Sequence, residues 1–321
     1  MTDTSPILRG ALLALLAFGI YATHDVIIKA LGGTYSPVQT VFFSVLFGFP
    51  LVTLLLLRDR SEANLIPKHP LWTLVRTVAV VITGVTAFYA FSVLPLAQTY
   101  AILFAAPLLI TLLAIPMLGE RVGIRRGIAV VVGLAGVMVV LRPGAEPLTL
   151  GHLAALLSAF TGALGAVIMR KVGREERSVV LILYPMIGNF LFMGAALPFV
   201  YRPMPLIDLA GLAVIAALAL VATHLVIRAY RAAPAVVVAP MQYSQILWAT
   251  FYGVVLFDES LDLPTALGAG IIIASGVYIV LREGRVGVSR TTPVLRTRTR
   301  LGLPVSPRVS TLMRDREDPA E

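Results

Sequence analysis

The sequence predicts an all-α integral membrane protein with ten transmembrane helices in two inverted five-helix repeats. Three observations carry this. Of the 321 residues, 58% are hydrophobic and 13% charged, with a mean hydropathy of +0.90. Soluble domains carry about 25% charged residues, and a soluble fold of this length cannot hide so much apolar surface. The apolar residues fall into segments close to the ~20 residues that a helix needs to cross hydrocarbon. Finally, the two halves of the chain resemble each other. The absence of Cys removes disulfides, thiol nucleophiles and cysteine-ligated metals together.

The elements follow in order. The spans read as 8–31, 37–57, 71–93, 97–118, 124–141, 150–170, 179–200, 206–230, 235–257 and 264–282. The first is too long for a signal peptide and has no small-residue cleavage site before Asp25 and Lys29. Gly32-Gly33 and Ser36-Pro37 end it; Pro67 and Pro70 precede the third span. The fifth is the shortest at 18 residues, and Pro143-Gly144 follows it. Pro203, Pro205 and Pro264 punctuate the later connections. The remainder, 283–321, lacks a hydrophobic period and contains Arg296-Thr297-Arg298-Thr299-Arg300; it reads as a disordered basic cytoplasmic tail. That tail is either a polybasic segment on anionic lipid or a solvated run with no role.

Basic residues set the orientation. Even-numbered connections hold Arg58, Arg60, Lys68, Arg121, Arg125, Arg126, Arg170, Lys171, Arg174, Arg177, Arg228 and Arg231; the other side has Lys29, Arg142 and Arg202. Both termini are therefore expected in the cytoplasm. The net charge of +9 is a topology signal, and no nucleic-acid partner is expected.

The repeat is colinear. Ala90-Phe91 with Pro95 matches Ala229-Tyr230 with Pro234 at an offset of 139, and Leu118-Gly119-Glu120 matches Phe257-Asp258-Glu259 at the same offset. Gly136-Val137 matches Gly276-Val277 at 140, and Val26-Ile27-Ile28-Lys29 matches Val167-Ile168-Met169-Arg170 at 141. This divides the chain into repeats 1–142 and 143–282 and the tail 283–321. Five spans is an odd number, so the second copy enters the membrane inverted. Inverted repeats place a site at the midplane between halves and allow alternating access, the pattern of a carrier.

Leu94-Pro95-Leu96-Ala97, Ala105-Ala106-Pro107-Leu108, Leu118-Gly119-Glu120-Arg121, Gly133 with Gly136-Val137, and the second-half Phe257-Asp258-Glu259 and Gly276-Val277 resemble the drug/metabolite transporter (DMT) superfamily, EamA type. The resemblance covers about residues 8–282; Ala233-Pro234-Ala235 departs from the Pro-Leu-Ala start. It implies a secondary transporter of a small organic metabolite, such as an amino acid or drug, across the inner membrane. The cavity would lie between the halves, largely from helices 1, 3, 4, 6, 8 and 9. Neither a Walker-type phosphate loop nor a metal-ligand spacing is present, so no cofactor is expected.

Ionisable groups inside a span are functional candidates by default. Tyr21, Asp25 and Lys29 recur at four and share a helix face. Asp25 either binds a cationic group or a coupling proton, or pairs with Lys29 at the outer interface. His24 is turned about 100° from Asp25. Arg76 either meets an anionic substrate or snorkels to the inner headgroups; His224 is a proton relay or a packing group. Gln242, Gln245, Trp248 and Tyr252 recur at three or four and line one face, in contact with substrate or with a neighbouring helix. Tyr89, Thr99 and Tyr100 are further candidates. Gly162/Gly165, Gly133/Gly136 and Gly268/Gly270 read as close helix packing; Pro50, Pro107, Pro185 and Pro240 read as hinges or static kinks. The rival reading, an intramembrane lipid-modifying enzyme, needs convergent groups at one depth, whereas Asp25 and His224 fall in opposite leaflets. A channel would need a charged or carbonyl ring, and no charged ring is evident. The expected partners are a small-molecule substrate, the lipid bilayer and protons; the oligomeric state stays open.

Overall fold

Helix follows helix along the chain, and no strand lies among the described residues. The computed structural model describes residues 6–56, 65–120, 122–144, 147–173, 175–233 and 235–283. The tail, Arg58, Arg60, Arg121, Arg174 and Pro234 lie outside these. The elements are α1 (Pro6–Gly32), α2 (Pro37–Leu56), α3 (Pro70–Val93), α4 (Leu96–Leu103), α5 (Ala106–Leu118), α6 (Ile124–Leu141), α7 (Leu150–Val172), α8 (Ser178–Val200), α9 (Leu206–Ala232), α10 (Ala235–Val238), a 3₁₀ helix (Ala239–Ser244), α11 (Gln245–Phe257) and α12 (Leu263–Glu283). Among the described residues, eight helical stretches are long and apolar enough to cross a membrane, α4 and α5 together forming one of them, and Pro37–Pro50 is a shorter apolar helix.

Two expected spans are not continuous. The fourth breaks at Phe104 and Ala105 into α4 and α5; the ninth is divided into α10, the 3₁₀ helix and α11. Proline lacks an N–H and its ring opposes the carbonyl four residues back. Pro107 opposes that of Leu103, the last residue of α4, and Pro240 sits in the first turn of the 3₁₀ segment. Pro50 and Pro185, by contrast, lie inside unbroken helices.

The packing repeats itself. The first span of each half lies on the third span of the other, α1 on α9 and α7 on α3. The contacts of α2 with α9 and of α3 with α8 form a second matched set; α1 with α11 and α7 with α5 form a third. Spans 5 and 10 pair as α6 with α12, and spans 2 and 7 as α2 with α8. The halves interlock rather than merely abut. At the α6–α12 seam, a β-carbon on Gly268 would stand 2.6 Å from the carbonyl oxygen of Gly136 and 2.5 Å from a Val140 methyl, so only glycine admits the approach. Gly165 makes no comparably close contact, its nearest neighbour being Val80 at 3.6 Å. Outward-facing residues such as Leu16, Leu74, Val131, Leu191 and Val254 are exposed, as a lipid-facing surface requires. At one end Tyr35 donates to Asp208 Oδ2 at 2.5 Å, and that bond holds the tyrosine pKa above its ordinary value.

Candidate functional site

Residues from three spans meet beside the two helix breaks. Asp25 of α1 is only 2% exposed. Its Oδ2 accepts the hydroxyl proton of Tyr100 from α4, and Gln245, the first residue of α11, donates its Nε2–H to the same tyrosine oxygen at 3.2 Å. The chain runs in one direction, from amide to phenol to carboxylate, and hydrogen bonds linked this way polarise one another. The 3₁₀ helix fixes where Gln245 begins, while Phe91, Tyr100, Phe104 and Tyr243 form a run of ring contacts with centroids 5.0–5.8 Å apart.

His24 also belongs here. Its Nδ1 lies 2.7 Å from Asp25 Oδ1, correcting the expectation that the two side chains look apart. A 100° rotation separates their Cβ directions but not the ring and carboxylate atoms further out. One turn away, Tyr21 shares a hydrogen bond with Thr223 of α9 at 2.7 Å, and Thr23 with Tyr252 of α11 at 2.9 Å.

Lys29 is not the partner of Asp25. Its Nζ lies 2.7 Å from Glu259 Oε1, donates to the Leu94 carbonyl at 2.6 Å and sits 5.3 Å from the Phe257 ring centre. A spacing of four permits a helix pair, but a carboxylate held by a neighbouring turn competes better. Arg76 does not snorkel: it is 8% exposed and donates to the Leu181 carbonyl of α8 at 2.5 Å. His224 is exposed on α9, away from the network. Of the stripe Gln242, Gln245, Trp248 and Tyr252, only Gln242 leaves the register, because it lies in the 3₁₀ helix; the other three stay at i, i+3 and i+7 within α11 but differ in exposure. Gln245 is buried, Gln242 and Tyr252 are half-buried, and Trp248 is 38% exposed, its indole close to Gly19. Tyr89 is half-buried on α3.

Sequence reasoning did not single out Thr223, Tyr243 or Glu259 as site residues. Only Glu259 carried a signal, as the repeat mate of Glu120. The repeat offsets also relate Asp25, Tyr100 and Gln245 to Ala166, Ala239 and Ala106, three alanines. The scaffold is duplicated, and the polar network occupies one side of it.

This fold, an apolar helical bundle with a buried polar network at its broken spans, defines a multi-pass membrane transporter. The sequence model of the EamA-like transporter family matches residues 8–142 and again 149–282, and the chain belongs to that family. It is 25% identical over 270 residues to an S-adenosylmethionine uptake transporter of Rickettsia bellii, covering 84% of this chain and 92% of the relative. A riboflavin transporter of Rhizobium johnstonii is 28% identical, covering 76% of this chain and 79% of its own. A pseudopaline exporter of Pseudomonas aeruginosa is 25% identical, covering 84% and 95%. A crystal structure aligns with 84% of this chain and 94% of its own at a TM-score of 0.53 and 18% identity, a likeness of fold. These relatives point to a transporter of a small molecule rather than an enzyme, and the lipid-modifying alternative finds no support among them.

Proposed function

We propose that this transporter is a secondary carrier for a small organic metabolite, working by alternating access in a bacterial-type inner membrane with both termini cytoplasmic. The repeats 1–142 and 143–282 are its two moving units, and Asp25, Tyr100 and Gln245 form the polar wall of its site. The observation that carries this is the Gln245–Tyr100 hydrogen bond of 3.2 Å. Asp25 and Tyr100 belong to the first repeat and Gln245 to the second, so motion of one repeat against the other must remake the network. A substrate that replaces the Gln245–Tyr100 link with its own donors and acceptors couples binding to that motion. The alanines at the mate positions support an asymmetric site in a symmetric frame. Asp25 is the group that would carry a coupling proton, and Tyr21, Tyr89, Gln242 and Tyr252 are the candidates for the surrounding walls. The names of the relatives include S-adenosylmethionine, riboflavin and pseudopaline, which favours a polar small organic molecule as substrate.

Counterflow in proteoliposomes with a panel of labelled amino acids, nucleosides and cofactors tests the reading. One class should exchange saturably, and Gln245→Leu should weaken it. No exchange of any member by folded protein would count against it.

A further inference from the structure

We propose that two ion pairs related by the repeat, Lys29–Glu259 and Arg170–Glu120, are the gates at the two ends of the transport path. The inference rests on the carrier reading above and names the parts that seal it. Lys29 and Arg170 are repeat mates at an offset of 141, and Glu120 and Glu259 at 139. Both pairs cross between halves. In each, a base near the end of the first helix of one half meets the glutamate that follows the fourth span of the other. Arg170 Nη2 contacts Glu120 Oε1 directly, as Lys29 Nζ contacts Glu259 Oε1.

The two glutamates are presented by turns of the same build. A left-handed residue precedes each, Gly119 with φ 67° and Asp258 with φ 52°. Each glutamate N–H then reaches back six residues to a helix carbonyl, Glu120 to Ala114 at 3.4 Å and Glu259 to Gly253 at 3.0 Å. The duplication has preserved the turn as well as the charge.

The pairs stand at opposite ends of the bundle. Glu259 Oε2 accepts the backbone N–H of Leu96, the first residue of the fourth span, at 2.9 Å. Glu120 lies just beyond Leu118, the last residue of that 23-residue stretch. At ~1.5 Å per residue the stretch is about 34 Å long. The Asp25–Tyr100–Gln245 network lies between them, Asp25 one helical turn from Lys29.

Burial explains why such pairs switch. The side chains of Lys29 and Glu259 are 12% and 15% exposed, those of Arg170 and Glu120 7% and 3%. Charges that dry are held by each other, and separating them in place is costly. Opening one end admits water to the separated charges and offsets that cost there alone. The two gates are not equal. Lys29 and Glu259 also bond Leu94 and Leu96, whereas Glu120 Oε2 and Arg170 Nη1 have no hydrogen-bond partner among the described residues.

The chain has no native Cys, so Gln245→Cys in the full-length protein serves as a reporter, labelled by a membrane-impermeant maleimide applied to either side of oriented vesicles. Glu259→Gln should raise its labelling from the Lys29 side, and Glu120→Gln from the opposite side. Each increase should be about fivefold or more, the lower end of typical coupling between sites. The charge-exchanged pair Lys29→Glu with Glu259→Lys should return labelling toward the parent rate; it carries the test where a single variant folds poorly. A parent that labels while neither glutamate variant alters the rate, or both variants opening the same side, overturns the gates and leaves the carrier. A reporter silent from both sides in every variant removes the carrier reading and the gates with it.

Discussion

Asp25 is a buried carboxylate, and such a group is tolerable only where donors meet it. The Tyr100 hydroxyl and the His24 ring do so. If Asp25 carries the coupling proton, Asp25→Asn should abolish uphill transport in energised vesicles and spare counterflow, which needs no net proton movement. Adding Lys29→Gln should not restore uphill transport, because the carboxylate facing Lys29 is Glu259. Restoration would return Lys29 to Asp25 and end the proton role. The same logic separates Gln245 from Trp248. Gln245→Leu removes the amide that a bound substrate would engage in place of Tyr100, a loss of about 1–3 kcal/mol where the substrate's group stays buried and unpaired. That is roughly a fivefold or greater loss of affinity in counterflow competition. Trp248→Ala should cost less, its side chain being 38% exposed. Equal losses would bring the indole back into the site.

At the scale of elements, the broken spans and the glycine seam do different work. The breaks at Pro107 and Pro240 place Tyr100 and Gln245 near helix ends, where side chains from opposing helices can converge. The α6–α12 seam instead sets how closely two outer helices approach. Gly268→Val should overpack it, at a cost of about 1–3 kcal/mol. A lower unfolding temperature in detergent, with the half-saturation concentration for transport unchanged, is the expected result. A change in affinity at unchanged stability would tie α6 and α12 to the site.

For the whole molecule, the odd number of spans in each repeat requires the two copies to lie inverted. The topology proposed above puts the turn after α11 outside and the connection before α3 inside. Leu261→Cys should react with an impermeant thiol reagent in intact cells, and Lys68→Cys only after permeabilisation. Both positions are exposed. Equal labelling, or the reverse pattern, would contradict the proposed orientation. Leu261 serves better than the neighbouring Asp262, which pairs with Arg142.

The linear chain by itself determined the class of fold. Apolar segments of membrane length, turn residues between them and a colinear repeat are local properties, written in composition and order. They placed α6 at 124–141 and named Asp25, Tyr100 and Gln245 individually. Only the tertiary structure decided which of these residues meet. Gln245 stands 145 positions from Tyr100, and Glu259 stands 230 from Lys29, separations over which helical periodicity carries no information. Periodicity also assumed an unbroken ninth helix, and the 3₁₀ segment takes Gln242 out of the register that Gln245, Trp248 and Tyr252 keep within α11. For Lys29 the helix face offered Asp25, and the choice went to a glutamate brought in by the opposite half. Which charge pairs with which is settled by the packing of the halves, since an ion pair depends on distance in space rather than along the chain.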